Sequence, residues 1–285
     1  MGERVSLKDQ PKRVVALTPA LVDWVIQLGD RKLLVGVSEH SAHVENSEVV
    51  GSSRGVSYEK LASLKPDLVL VDVDANTMEV YRKLNSLKIP VVGVRTPSLV
   101  DIESVGKLIA TALGSLSKWE RISKDWDSKW SGFEERREKR KRERWPTHKV
   151  LLQLQLSPLV GVSPQTFLGE VLELMGAKNL VKNGVGVNAY PKLSVEWVVR
   201  EAPDTIVFLG TESDQQALER FWTRFSGLPA VKAKRLITYS SDALMRPTPQ
   251  ILDAARELEI KIYGASPAPF PKSTPTSTGS SGGEL

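Results

Sequence analysis

Residues 57–71 read SYEKLASLKPDLVLV, and the same plan returns at residues 194–209 as SVEWVVREAPDTIVFL. The two segments align without a gap. Ser57 matches Ser194, Glu59 matches Glu196, Pro66-Asp67 matches Pro203-Asp204, and both run on into an apolar strand. A helix, turn and strand repeated far apart in one chain predicts two lobes of similar plan.

The surroundings of the two copies agree with this. RVVALTP (13–19) opens the first half and KVLLQLQLSP (149–158) the second. In the first half, patterning predicts strands at 13–17, 33–37, 68–73 and 90–94, alternating with helices from Pro19 to Gly29 and over 57–64, 77–87 and 101–113. Gly114 stands where a glycine commonly ends a helix. In the second half, strands are expected at 149–155, 204–209 and 235–239, with helices near 165–175, 194–201, 214–225 and 249–262. Strands alternating with helices predict an α/β fold of two Rossmann-like lobes, each a parallel sheet covered on both faces.

Between the halves lies SLSKWERISKDWDSKWSGFEERREKRKRERW (115–145), in which Trp119, Ile122, Trp126, Trp130 and Phe133 fall three or four residues apart. That spacing puts all five on one stripe of a single long helix, with charged residues on the other faces. One rigid helix joining two lobes permits only modest hinge motion. The expected divisions are a first lobe over 1–114, the connecting helix over 115–145, a second lobe over 146–263, and a disordered Ser/Thr/Pro/Gly tail over 264–285. The ligand cleft is expected between the lobes, lined by loops that leave the carboxyl ends of strands.

Composition bounds the chemistry. The 285 residues contain no cysteine, which excludes disulfides, thiolate metal sites and cysteine nucleophiles. The formal charge is +5, and residues 134–149 hold eight Lys or Arg against four Glu, so nearly all of the excess sits at one helix end. Such a patch reads as a solvated face, and nucleic acid is not an expected partner. No apolar run approaches the roughly 18 residues of a membrane span. The start, MGERVSLKDQPKR, lacks an apolar signal core, so the chain is leaderless or begins where a signal was removed.

An α/β enzyme would need its signature. The turn after the first strand is Thr18-Pro19-Ala20 rather than a G-x-G-x-x-G, GVGVN at 184–188 does not match that pattern either, and P-loop, G-x-S-x-G and H-E-x-x-H motifs are missing. Catalysis is therefore not expected, and no residue is assigned a catalytic role. Glu59 and Glu196 leave two readings: first-turn acids complementing a helix dipole, or matched docking points for a symmetric basic partner. A sensor or surface interaction module, using the basic helix end or the tail, is a further alternative.

The order RVVALTPALVDWVIQLG, GVSEHS, VGSSRGVSYEKLASLKPDLVLVD, IPVVGV, long helix, SVEWVVREAPDTIVFLG and SSDALMRPTPQILDAARELE resembles the helical-backbone (class III) substrate-binding proteins of ABC importers. The resemblance spans about residues 11–262. It is greatest to the cobalamin-binding branch, through QLSPLVGVSPQTFLGEVLELMGAKNLV and SSDALMRPTPQI. It implies capture of cobalamin or a related corrinoid, with haem or a ferric siderophore as the alternative, and delivery to a permease dimer. It further implies a monomer in the periplasm or anchored outside the cytoplasmic membrane, its signal peptide already removed.

By position, the resemblance puts Glu59 and Glu196 at the two docking glutamates, which meet arginines of the permease. In the first lobe it lines the cleft with Thr18, Pro19, Ala20, His40, His43, Ser53, Arg54, Val73 and Asp74. The second lobe contributes Ser157, Pro158, Gly210, Asp242, Leu244, Met245 and Arg246. The chain departs from the cobalamin binders at His40 and His43, which replace tyrosines, and at Ser53 and Ala243, which replace tryptophans. That loses stacking area and leaves a more polar cleft. His40 and His43 are either exposed loop residues or axial ligands to the metal of a bound macrocycle.

Overall fold

Pro11 precedes the first strand, β1 (Val14–Ala16), whose three residues are all buried. The computed structural model describes residue 7 and residues 9–29, 31–41, 43–182 and 188–264. The expected tail beyond Gly264, and most of GVGVN, lie outside the described residues.

β1 is followed by α1 (Pro19–Leu28), β2 (Leu34–Val37), β3 (Glu48–Val49), α2 (Tyr58–Ser63), β4 (Leu68–Asp72), α3 (Met78–Ser86), β5 (Val91–Val94) and α4 (Asp101–Ala112). The strands form one sheet in the order β3-β2-β1-β4-β5, and every pairing is parallel. Its central strands read VVA and LVLVD because helices cover both faces, leaving no polar side to alternate with.

The second half contains β6 (Lys149–Gln155), β7 (Val160–Gly161), α6 (Phe167–Leu174), β8 (Lys178–Asn179), α7 (Val195–Glu201), β9 (Thr205–Leu209), α8 (Gln215–Trp222), α9 (Pro229–Lys232), β10 (Leu236–Tyr239) and α10 (Ile251–Tyr263). Here β10, β9 and β6 repeat the arrangement of β5, β4 and β1. The repeat extends to individual hydrogen bonds. The Asp67 carboxylate accepts from the backbone N–H groups of Lys12 and Arg13, and Asp204 accepts from that of Lys149 at 2.8 Å, so each Pro-Asp turn pins the start of its lobe's first strand.

This sheet is not wholly parallel. β7 pairs antiparallel with β6, because the chain turns back at Ser157-Pro158 instead of entering a helix as it does after β1.

Between the halves runs α5 (Leu116–Arg142), 27 residues long and a few residues shorter than the periodicity suggests. Its end is a Schellman turn: Arg144 takes a left-handed conformation (φ 54°), while the N–H groups of Arg144 and Trp145 return to the carbonyls of Lys141 and Arg140. Gly114 closes α4 in the same way, at φ 66°.

The aromatic stripe faces inward. Trp119, Trp126 and Phe133 are buried, Ile122 and Trp130 are partly so, and all five belong to a core that also includes Trp24, Leu152 and Leu258. α4 and α5 touch closely at Gly106, where a Cβ would lie 2.2 Å from the Trp119 ring. Trp119 also meets Trp24, with ring centroids 5.9 Å apart. On another side, α10 is tied to α5 by Lys129–Asp253 at 2.7 Å and Arg136–Glu259 at 2.8 Å. The helix is therefore a common wall for both lobes.

Candidate ligand cleft and docking acids

Every residue expected at the ligand lies in a segment that leaves the carboxyl end of a strand, where open parallel sheets hold their ligands. β1 leads into Thr18, Pro19 and Ala20, β2 into the loop of His40 and His43, β3 into Ser53 and Arg54, and β4 into Val73 and Asp74. In the second lobe Ser157 and Pro158 follow β6, Gly210 follows β9, and Asp242 to Arg246 follow β10.

Arg246 brings several of these segments together. Its Nη1 donates to Asp23 Oδ2 on α1 at 2.8 Å, and its Nη2 donates to Asp242 Oδ2 at 2.7 Å and to the His40 carbonyl at 3.5 Å. At the next residue of α1 the same lobes meet again, where Trp24 Nε1 donates to the Pro247 carbonyl at 3.2 Å. Within the first lobe, buried Asn76 donates to the Ser53 carbonyl and accepts from the Asp72 N–H, fastening the loop after β3 to that after β4. Asp74 pairs with Arg95 at 2.9 Å. Burial pushes the Asp72 carboxyl above its ordinary range, against hydrogen bonds from the N–H groups of Asp74 and Ala75.

The side chains differ in what they can offer a ligand. His40, His43, Arg54, Asp74, Ser157, Pro158, Asp242 and Met245 are exposed. Pro19, Ala20, Ser53, Val73, Gly210 and Arg246 are half-buried. Thr18 is buried, and its hydroxyl accepts from the Leu21 N–H as the cap of α1. Leu244 is fully buried in the main core, so its side chain anchors the loop that carries Met245 and Arg246. Gly210 sits tightly, since a Cβ there would come within 2.4 Å of the Phe208 ring. Among the described residues, no three His, Cys, Asp or Glu are grouped to hold a bare metal ion.

Sequence reasoning missed Asp23, Trp24 and Asn76 as parts of this region. Asp23 carried a signal: it is the one charge in PALVDWVIQL, inside an otherwise apolar helix.

Glu59 and Glu196 occupy the same position of equivalent helices. Ser57 Oγ caps α2 by accepting from the Lys60 N–H, and Ser194 Oγ caps α7 by accepting from the Trp197 N–H at 3.1 Å. Each acid then falls in the first turn, where the helix dipole favours a carboxylate. Both are exposed, and neither has an ion-pair partner among the described residues.

A sequence model of periplasmic binding proteins matches residues 14–243. The chain belongs to the periplasmic binding protein family. It is 26% identical over 264 residues to the vitamin B12-binding protein of Pectobacterium atrosepticum, covering 90% of this chain and 92% of that one. It is also 26% identical over 270 residues to a Bacillus subtilis ABC transporter substrate-binding lipoprotein, covering 92% and 83%. The fold matches the periplasmic vitamin B12-binding protein of Vibrio cholerae, with a TM-score of 0.76 at 22% identity over 90% of this chain and 99% of that one. It matches a periplasmic haem-binding protein of Pseudomonas aeruginosa with a TM-score of 0.79 at 23% identity, over 92% and 95%. Two lobes joined by one long helix is thus the fold of this family's binding proteins. Among the described residues, no helix is long and apolar enough to cross a membrane.

Proposed function

We propose that this protein is the capture component of an ABC importer, holding cobalamin or a related corrinoid between its lobes and delivering it to a permease dimer. The observation that carries the delivery half is the pair Glu59 and Glu196: equivalent, exposed, identically capped acids, one per lobe. A helix dipole accounts for an acid at either position. It does not call for both to stay unpaired, whereas docking onto two symmetric basic sites does. The ligand half is supported by the vitamin B12-binding relatives and by the gathering of cleft loops around Arg246, whose guanidinium suits amide and carboxylate groups.

Binding without catalysis, action as a monomer outside the cytoplasmic membrane, and division into lobes 1–114 and 146–263 about the helix 115–145 belong to the same reading. A second ligand reading, haem or a ferric siderophore, is favoured by His40 and His43, two exposed imidazoles in the loop whose carbonyl meets Arg246. The test is a parallel spectrophotometric titration with cyanocobalamin, cobinamide, haem and a ferric siderophore. Saturable binding of a corrinoid bears the proposal out, binding of haem or siderophore alone moves it to the second reading, and failure of all four overturns both.

A further inference from the structure

A cavity of about 510 Å³ opens beside Pro146 and Thr147, which lead into the amino end of β6, whereas the cleft loops leave the carboxyl ends of the strands. Its walls include Arg137, Arg140 and Lys141 from the last turns of α5, and Lys178 and Lys182 at β8, against a single acid, Glu173. Cations in the last turn of α5 have an ordinary explanation in the helix dipole. That explanation covers neither Lys178 and Lys182, which come from another element, nor the state of the donors.

Charge here is only partly compensated: Lys141 pairs with Glu138 at 2.7 Å, Lys182 with Glu201 at 3.1 Å, and Arg137 lies 3.8 Å from Glu138. Glu259, 1% exposed, accepts from Arg136 at 2.8 Å, Arg140 at 2.7 Å and Arg256 at 2.7 Å, so three guanidiniums share one carboxylate. Lys178 has no ion-pair partner among the described residues. Two residues of the cavity wall, Arg137 and Tyr263, each carry a buried donor, Nε and the hydroxyl, with no hydrogen-bond acceptor among the described residues. Arg137 is held in place: Gly176, at φ 75°, lets its Cγ lie where a Cβ would be 3.1 Å away. A buried donor without an acceptor is destabilising, and an anionic oxygen is an acceptor that would relieve it.

We propose that this cavity is an anion site that takes a phosphate-bearing group, either on a small organic phosphate or on a lipid headgroup. Guanidinium and ammonium groups from two elements converge with a phenol, the donor set that phosphate oxygens require. The volume leaves room for an organic portion as well. The site is separate from the cleft, and its test does not depend on the cleft's ligand.

The full chain would be titrated calorimetrically at low salt with inorganic phosphate and glycerol phosphate, and sedimented with phosphatidylglycerol vesicles against phosphatidylcholine vesicles. Saturable binding is expected to at least one probe, weakened about tenfold by Lys178→Ala and severalfold by Tyr263→Phe, which removes one hydroxyl and keeps the ring. Lys124→Ala, an exposed charge elsewhere on α5, should leave it unchanged. Binding of the free phosphates alone assigns a small-molecule ligand, and binding of the anionic vesicles assigns a headgroup. Absence of saturable binding to every probe, or equal weakening by Lys124→Ala, would overturn the proposal.

Discussion

Arg246 Nη1 donates to Asp23 Oδ2 at 2.8 Å, joining the loop after β10 in the second lobe to α1 in the first. Both side chains are about six-sevenths removed from solvent, at 15% and 14% exposure, so this ion pair is screened far less than a surface one. Arg246→Ala leaves Asp23 without its partner and is expected to cost about 1–3 kcal/mol. Urea unfolding of Arg246→Ala, Asp23→Asn and the double variant checks this. The double variant should lose less than the two single losses together, as contacting residues do.

Charge reversal at Glu59 and Glu196 should separate docking from capture. Glu59→Arg with Glu196→Arg is expected to abolish ligand-dependent stimulation of the cognate permease's ATPase while leaving ligand affinity unchanged. Each substitution opposes a helix dipole, so a stability loss of about 0.3–1 kcal/mol per site accompanies it. Retained stimulation would show that the acids serve their helices alone.

The wall formed by α5 should be the most sensitive part of the core. Phe133, 1% exposed, lies under the Arg136 guanidinium, 4.5 Å from the ring centroid. Phe133→Ala is expected to lower unfolding free energy by about 3–5 kcal/mol. Leu116→Ala, at an exposed position of the same helix, should cost well under about 1 kcal/mol. Denaturant midpoints at constant slope would verify the contrast.

A further contact between the lobes predicts a pH dependence. Glu170 on α6 accepts from the Leu99 N–H at 2.6 Å, and burial pushes its carboxyl above the ordinary range. A group raised in the folded state contributes stability that is full below its unfolded pKa and is lost as pH rises through the folded value. Glu170→Gln keeps an acceptor for Leu99 but cannot ionise. Melting temperatures from about pH 4 to about pH 7 should therefore shift steadily in the variant's favour as pH rises.

His40 and His43 can be tested through the ligand. If either imidazole reaches the metal of a bound macrocycle, replacing both by Ala should shift the visible spectrum of the complex and weaken binding about tenfold or more. An unchanged spectrum and affinity would leave them as surface residues of the loop that Arg246 touches.

The architecture was legible because its signals are local. Apolar runs announced β1, β4, β6 and β9, the spacing of Trp119 to Phe133 announced α5, and Gly114 marked the end of α4. The repeat around Glu59 and Glu196 disclosed two lobes, since equivalent turns need equivalent residues wherever they stand in the chain. Two-residue strands such as β3, β7 and β8 are too short to impose a period, and the left-handed Arg144 that ends α5 early carries no residue preference to read. The tertiary structure alone decided that Leu244 turns into the core, that the Thr18 hydroxyl caps its helix, and that Asp23 meets Arg246. Which face a loop residue presents, and which partner a charge finds across more than two hundred residues, depend on how separately formed elements pack, and neighbouring residues in sequence do not encode that.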